Sequence, residues 1–273
     1  MEVRELIDAT QKYWEEVAQT ILGHGKEITR LRKVETAMFG SERFMTALPE
    51  YDEIDQRKHL RKAATGLMQR LTQVAINEYS PSSSSRLEIN WSEIAEAVGF
   101  SDEKRTEFDA HVFWQELEKR YGGGNGAKNA YQQASSVLID EFRIKPETGV
   151  ERRRGGIVLN LDIRATQKYS TRYTIDWGNA QRLTRTLIAL KSFASWGDMF
   201  ALQHGMSTFL NVWSQRGDQV HSREAFTYGN VEGGQIKITT FYNRFEFAFD
   251  AKASEKLQLF LGEFGFTPVS EAA

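Results

Sequence analysis

The chain has 273 residues, of which 40% are hydrophobic and 26% charged, and it contains no cysteine. This composition is typical of a globular protein with one large core or two smaller ones, and it excludes a disordered chain. The lack of cysteine excludes disulfides, thiolate metal ligands and cysteine nucleophiles. The charged N-terminus has no apolar signal core, and no apolar run approaches the ~20 residues of a membrane span. We therefore expect a cytoplasmic protein without a membrane partner.

Charge is unevenly distributed, although the formal net charge is only −2. Residues 88–118 contain nine acidic and two basic side chains, whereas residues 143–191 contain eleven basic and four acidic ones. Such asymmetry is typical of nucleic-acid-binding proteins and of proteins that imitate nucleic acid. Two solvated faces that partly neutralise each other would give the same pattern.

The first half of the chain has the periodicity of helices. Apolar spacing predicts a helix over 3–39, interrupted near Gly23-His24-Gly25, and a second helix over 55–79. The serine-rich run 80–85 that follows has the composition of a linker. Two further helices are predicted over 91–98 and 101–120, and another follows a glycine-rich loop over 127–142.

The pattern changes after Pro146. Alternating apolar residues predict strands over 157–163 and 169–175, joined as a hairpin around Arg164 to Lys168. Helices are predicted over 177–194, capped by Asp176, and over 198–214. Strands over 235–241 and 244–249 then precede a helix that Asp250 caps and Gly265 ends as a C′ residue.

These elements predict an α+β fold with a helical N-terminal half. Antiparallel β-hairpins packed by helices make up the C-terminal half. We divide the chain into an N-terminal helical region 1–82, a helical middle region 83–145, and an α+β region 146–273 with two β-hairpins and a closing helix.

The C-terminal run GQIKITTFYNRFEFAFDAKASEKLQLFLGEFG resembles the signature of the domain-of-unknown-function family 4942. Its elements are a strand that ends in Phe241, the turn Tyr242-Asn243, a strand that ends in Phe249, and a helix that follows Asp250. The runs IDQRKHLRKAAT, FDAHVFWQELEKRY and RYTIDWGNAQRLTRTLIALKS are similar to further family segments, so the resemblance covers about 5–265. The family's usual turn is of the Lys-Asn-Gly-Asn type, and this sequence departs from it.

The resemblance implies a bacterial mobile-element setting, on a phage or a plasmid. Family members sometimes accompany a methyltransferase domain, but this chain resembles the accessory domain alone. An anti-defence role would fit that setting. The resemblance implies no reaction.

The basic stretch contains the residues for our leading hypothesis, a non-enzymatic accessory protein that binds nucleic acid or a host nucleic-acid-handling complex. Arginines suit phosphate, and the interleaved Tyr169 and Tyr173 suit base stacking, although core packing of the tyrosines is the competing interpretation. The predicted phosphate-binding residues are Arg152, Arg153, Arg154, Lys168, Arg172, Arg182 and Arg185.

An alternative hypothesis uses the acidic stretch. In a protein–protein inhibitor that imitates DNA, Glu103, Glu107 and Asp109 would occupy a basic groove on a partner enzyme. The same region, from Trp91 to Asp102, is similar in pattern to a helix-turn-helix. We favour a helical pair that does not read DNA, because phosphates would repel its acidic second helix.

A further alternative is a metal-dependent nuclease that uses Glu232 and Lys237. The five histidines form no i, i+4 pair, and no Walker loop, dinucleotide fingerprint or serine-nucleophile motif is present. We therefore identify no catalytic or metal-ligating residues and no cofactor.

Overall fold

The computed structural model describes residues 2–39, 51, 53–100, 107–145, 152–153, 156–169, 172–215 and 219–265. These residues form eight α-helices and eight β-strands, and every strand pairing among them is antiparallel. The predicted α+β class, with helices first and hairpins packed by helices later, is confirmed. No helix in the described ranges has the length and hydropathy that crossing a bilayer requires.

The chain folds into two compact units. Unit 1 comprises Met1–Glu78 and Ile89–Gly123, and unit 2 comprises Tyr79–Glu88 and Gly124–Ala273. This grouping differs from the consecutive regions 1–82, 83–145 and 146–273, because the segment after the second helix packs within unit 2 before the chain returns to unit 1.

Unit 1 contains four helices: α1 (Val3–Phe39), α2 (Glu53–Tyr79), α3 (Trp91–Ala97) and α4 (Ala110–Tyr121). Helix α1 packs on α4, where the buried Trp14 meets the buried Phe108 in an edge-to-face contact of 5.7 Å between ring centroids. The Gln11 side chain also accepts a 2.9 Å hydrogen bond from the Ala110 N–H at the start of α4. Apolar packing and this hydrogen bond fix the first half of α1 against α4.

Helix α1 runs without a break, so the interruption predicted at Gly23-His24-Gly25 is wrong. The space beside Gly25 is occupied by the side chain of Gln56 on α2, which a Cβ at position 25 would overlap. Gly25 therefore permits a close approach between two helices, which sequence patterns do not distinguish from a helix break.

Helix α4 begins later than predicted. Asp109 is its N-cap and accepts hydrogen bonds from the N–H groups of His111 (2.8 Å) and Val112 (3.0 Å). Residues 107–109 are not helical, and residues 101–106 lie outside the described part of the chain. The aspartate cap, which satisfies two otherwise unpaired N–H donors, sets the start of the helix.

Unit 2 is built around two sheets and four helices. Its elements in chain order are α5 (Asn125–Phe142), β1 (Arg152–Arg153), β2 (Gly156–Asp162), β3 (Ala165–Tyr169), β4 (Arg172–Ile175), α6 (Trp177–Trp196), α7 (Phe200–Gln215), β5 (Gln219–His221), β6 (Ala225–Asn230), β7 (Gly234–Thr240), β8 (Arg244–Phe249) and α8 (Ala251–Phe264). One sheet has the order β1-β2-β8-β7-β6, and the other has the order β3-β4-β5.

The core of unit 2 lies between the five-stranded sheet and its helices. Buried and less buried residues alternate along β7 and β8 and, from Ile157 onward, along β2. The buried face carries Ile157, Leu159, Leu161, Ile236, Ile238, Phe245, Phe247 and Phe249. Helices α5, α7 and α8 contact this sheet, and α6 packs against α5, α7 and α8. The predicted caps of α6 and α8 are confirmed, because Asp176 accepts from Asn179 N and Asp250 accepts from Ala253 N, each at 2.8 Å.

The hairpin predicted around Arg164 to Lys168 is wrong. Strand β2 pairs with β8, where Leu159 lies opposite Phe247, and the next two strands form the second sheet with β5. Alternation identifies a strand and its buried face, but it does not specify the partner strand. The second predicted hairpin, β7–β8 around Tyr242-Asn243, is confirmed.

Gly265 follows α8 but is not a left-handed C′ residue, since its φ is −95°. A Cβ at this position would lie 2.6 Å from the Ile139 side chain and 2.7 Å from the Ser135 hydroxyl. The glycine is therefore explained by the close approach of α5 to the end of α8.

The serine-rich run is a hydrogen-bonded part of unit 2. The Ser82 hydroxyl accepts from the N–H groups of Ser84 (3.2 Å) and Ser85 (3.1 Å), and the Ser84 carbonyl accepts from the Ser192 hydroxyl of α6 (3.2 Å). Ser85 is fully buried, and Leu87 is 1% exposed. The segment is anchored to α6, and its linker composition is misleading because Ser192, which binds the Ser84 carbonyl, lies more than a hundred residues away in sequence.

We expect Leu87→Ala to lower the free energy of unfolding by about 2–4 kcal/mol, because it leaves a cavity in a packed site. Chemical denaturation measures the change. Ser83→Ala, in the same segment but exposed, is the control and should change stability by less than about 0.5 kcal/mol. Equal and small effects of the two substitutions would show that the segment is not anchored.

Candidate nucleic-acid interface

Arg182, one of the predicted phosphate-binding residues, is engaged within the fold. Its Nε donates to Glu141 Oε2 at 2.8 Å, and its Nη1 donates to the Asp162 carbonyl oxygen at 3.1 Å and to Asn179 Oδ1 at 3.3 Å. The Glu141 side chain is only 9% exposed. A carboxylate so nearly buried requires a charged partner, so Arg182 holds α5, β2 and α6 together.

Neighbouring cations also face carboxylates. Arg185 Nη1 lies 3.9 Å from Glu141 Oε1, although the Arg185 side chain is 62% exposed. Arg143 Nη1 lies 3.1 Å from Asp162 Oδ2. Of these three arginines, Arg185 has the longest ion-pair distance, which leaves it accessible to a phosphate.

The predicted residues whose backbone the structure describes do not all lie close together. Arg152 and Arg153 form β1 and have Ile157 and Gly156 as Cα partners, at the beginning of β2. The Arg182 guanidinium donates to the carbonyl of Asp162, at the other end of β2. At a rise of about 3.3 Å per residue, the two ends of this strand are about 20 Å apart. Arg154 lies outside the described residues.

Lys168 and Arg172 lie in the three-stranded sheet. Lys168 belongs to β3, and Arg172 on β4 has Tyr169 and His221 as Cα partners. Tyr173 packs against the hydrophobic core of unit 2, which agrees with the interpretation that this tyrosine serves core packing rather than base stacking. The Tyr173 ring also contacts the ring of Tyr242, with centroids 5.1 Å apart and planes at 59°.

The β7–β8 turn presents aromatic rings and an arginine together. Tyr242 is 53% exposed, and the Arg244 guanidinium lies 4.5 Å from the centroid of the Phe241 ring. The Phe241 N–H donates to the Arg244 carbonyl at 2.8 Å, which closes the turn. We use the name turn surface for the following set of residues: Phe241, Tyr242, Asn243, Arg244, Tyr173, Arg164 and Arg223.

Backbone hydrogen bonds bring Arg164 and Arg223 to this turn. The Ile163 N–H donates to the Asn243 carbonyl at 2.9 Å, and the Arg223 N–H donates to the Thr240 carbonyl at 2.6 Å. Both arginines are exposed. Three arginines therefore come from three separate segments that meet at this turn.

The segments that meet near this turn carry a small net positive formal charge in the sequence. The segments 162–177, 219–224 and 241–244 contain five basic residues (Arg164, Lys168, Arg172, Arg223, Arg244) and three acidic ones (Asp162, Asp176, Glu224), a formal sum of 5 − 3 = +2. Exposed arginines beside aromatic rings are a combination that suits nucleic-acid strands.

Sequence reasoning did not assign Phe241, Tyr242, Arg223 or Arg244 to an interface. Arg223 and Arg244 lie outside the basic stretch 143–191, so a count of local charge does not find them. The signal that was present is the pair of consecutive aromatics at a tight turn, where a core role is disfavoured because turns lie at the surface.

The structure describes two of the three residues of the DNA-mimic alternative. Glu103 lies outside the described residues, Glu107 is exposed, and Asp109 caps α4. The Glu116 carboxylate accepts from Arg120 Nε at 2.7 Å, which holds the pKa of Glu116 below its ordinary value. Charge reversal at Asp109 would remove a helix cap, so Glu107 is the better position for testing a DNA-mimic surface.

The residues of the nuclease alternative are exposed and belong to one hairpin. Glu232 lies in the β6–β7 turn, and Lys237 lies on β7 with Thr227 and Ala248 as Cα partners. In the described ranges, no three histidine, aspartate or glutamate side chains are grouped as a metal ion would require.

Arg182→Met should lower the free energy of unfolding by about 1–3 kcal/mol, because it leaves the nearly buried Glu141 carboxylate without its closest charged partner. Arg185→Met is the matched control, since its ion pair is long and exposed, and it should cost less than about 0.5 kcal/mol. Urea denaturation of the two variants measures both changes in the free energy of unfolding. A larger cost for Arg185→Met would contradict a structural role that is specific to Arg182.

Comparison with known proteins adds no assignment: no protein-family model, curated protein or solved structure matches this chain. The resemblance to family 4942 thus stays a prediction.

Proposed function

We propose that this protein binds nucleic acid through the turn surface of unit 2. The observation that supports the proposal is the contact between Tyr173 and the half-exposed Tyr242, beside an arginine stacked on Phe241. The role is that of a non-enzymatic accessory protein, and the phage or plasmid setting and anti-defence action come from the resemblance alone.

The arginines would supply most of the affinity. Each guanidinium that neutralises a phosphate releases condensed counterions, a term that does not depend on sequence. Arg164 and Arg223 are exposed and need no rearrangement to reach a phosphate, whereas Arg182 would have to leave Glu141. The proposal therefore moves the phosphate contacts from the predicted Arg182 to Arg164, Arg223 and Arg244, and retains Lys168 and Arg172 on the adjoining strands.

Arg164→Gln and Arg223→Gln should each weaken binding of a fluorescein-labelled 20-nucleotide DNA. Each should also make the slope of log affinity against log salt concentration shallower by about one, because one phosphate contact is lost. Fluorescence anisotropy between 50 and 300 mM salt measures both quantities.

Lys128→Gln is the matched control for these variants. Lys128 is also exposed and lies on α5. It is fifteen residues, or about 22 Å along the helix, before Arg143, which pairs with Asp162 next to the Arg164 segment. Its slope should equal that of the unmodified protein. Absent binding, binding independent of salt, or a larger effect at Lys128 would contradict the proposal.

A further inference from the structure

Unit 2 carries a second exposed aromatic ring close to the turn surface. Trp177 is the first residue of α6, and 74% of it is exposed. A tryptophan ring that is exposed to water leaves a large apolar area unburied. Tryptophans are enriched at interfaces, where a partner covers this area. Trp177 makes no contribution to the core of unit 2.

A chain of contacts connects Trp177 to Tyr242. Asp176, which precedes Trp177, is held with a pKa below its ordinary value, first by the hydrogen bonds from Asn179 and to a smaller extent by the charge of Arg164. The residue before Arg164 donates its N–H to Asn243, next to Tyr242. Ala165 also lies opposite Ile175 in the β3–β4 pairing, so Arg164 and Asp176 are the next positions on the facing strands. The segment that contains Arg164 therefore adjoins both the Trp177 segment and the Tyr242 turn.

We infer that the preferred ligand is single-stranded nucleic acid, with one base stacked on Trp177, another on Tyr242, and a phosphate between them on Arg164. The inference rests on the proposed function and specifies its ligand class. In a single strand the base faces are available for stacking, whereas in a duplex each base is already stacked and would have to be extracted at a cost.

The flanking charge favours a nucleic acid over an apolar protein partner. The Arg164 segment adjoins both the Trp177 segment and the Tyr242 turn, and Arg223 and Arg244 adjoin the turn, so an occupant must present anionic groups beside flat apolar ones. A strand of alternating phosphates and bases has this chemistry. Base stacking on an aromatic side chain is independent of sequence, so we expect little discrimination among bases.

The test compares three labelled ligands of 12 nucleotides: a single-stranded DNA, the same strand with abasic sites throughout, and the duplex. Trp177→Ala and Tyr242→Ala should each weaken binding of the base-bearing single strand about 5- to 140-fold, in line with ~1–3 kcal/mol per stacked base. Binding of the abasic strand should be unchanged by either substitution. Trp177→Phe, which keeps a ring, should restore most of the affinity.

Phe200→Ala is the matched control, because Phe200 is 73% exposed and is likewise the first residue of a helix, α7. It should bind all three ligands as the unmodified protein does. Thermal denaturation of each variant shows whether the fold is retained, and Trp177→Phe supplies the comparison should the alanine variant unfold.

The outcomes separate the inference from the proposed function. Equal, salt-dependent binding of the abasic and base-bearing strands would overturn the stacking inference and leave nucleic-acid binding in place. Preference for the duplex, or an effect of Phe200→Ala as large as that of Trp177→Ala, would also overturn the inference. Absent binding of all three ligands would overturn both.

Discussion

One face of the five-stranded sheet is apolar on its three central strands, and the rest of unit 2 depends on burying that face. Phe245, Phe247 and Phe249 on β8 lie between the isoleucines of β7 and the apolar residues of β2. At about 25 cal/mol per Å² of apolar surface, covering such a face is the main favourable contribution to folding. The helices that cover it leave the ends of β7 and β8 at the edge of the core. Tyr242 and Asn243 therefore lie at the surface.

The same packing determines which cations remain available to a ligand. Glu141 is nearly buried at the end of α5, and the cost of an unpaired carboxylate there assigns Arg182 to the fold. Arg164 and Arg223 lie in connections between strands, where no core position requires them, and Arg244 stacks on Phe241 at the turn. The arginines of the turn surface thus come from segments far apart in sequence, rather than from one basic stretch.

Local sequence patterns predicted the strands whose apolar residues alternate regularly and the helices that begin at a polar cap. Strands β7 and β8 and the caps Asp176 and Asp250 follow from alternation and side-chain chemistry alone. Strand pairing did not follow, because β2 has the same pattern whether it pairs with β4 or β8. The serine run and Gly25 were misjudged for a related reason: their partners, Ser192 and Gln56, are long-range contacts. The turn surface likewise depends on contacts between segments that are apart in sequence, since the Arg223 N–H donates to the Thr240 carbonyl.

Photochemical cross-linking tests most directly whether nucleic acid lies on the turn surface. A single-stranded DNA that carries bromodeoxyuridine would be irradiated with the full chain, and the adducts would be located by mass spectrometry of the digested protein. The account predicts adducts on Tyr242 and Trp177, reduced by competition with unlabelled strand and by 300 mM salt. Adducts confined to residues 152–154, to α1 or to α4 would contradict it.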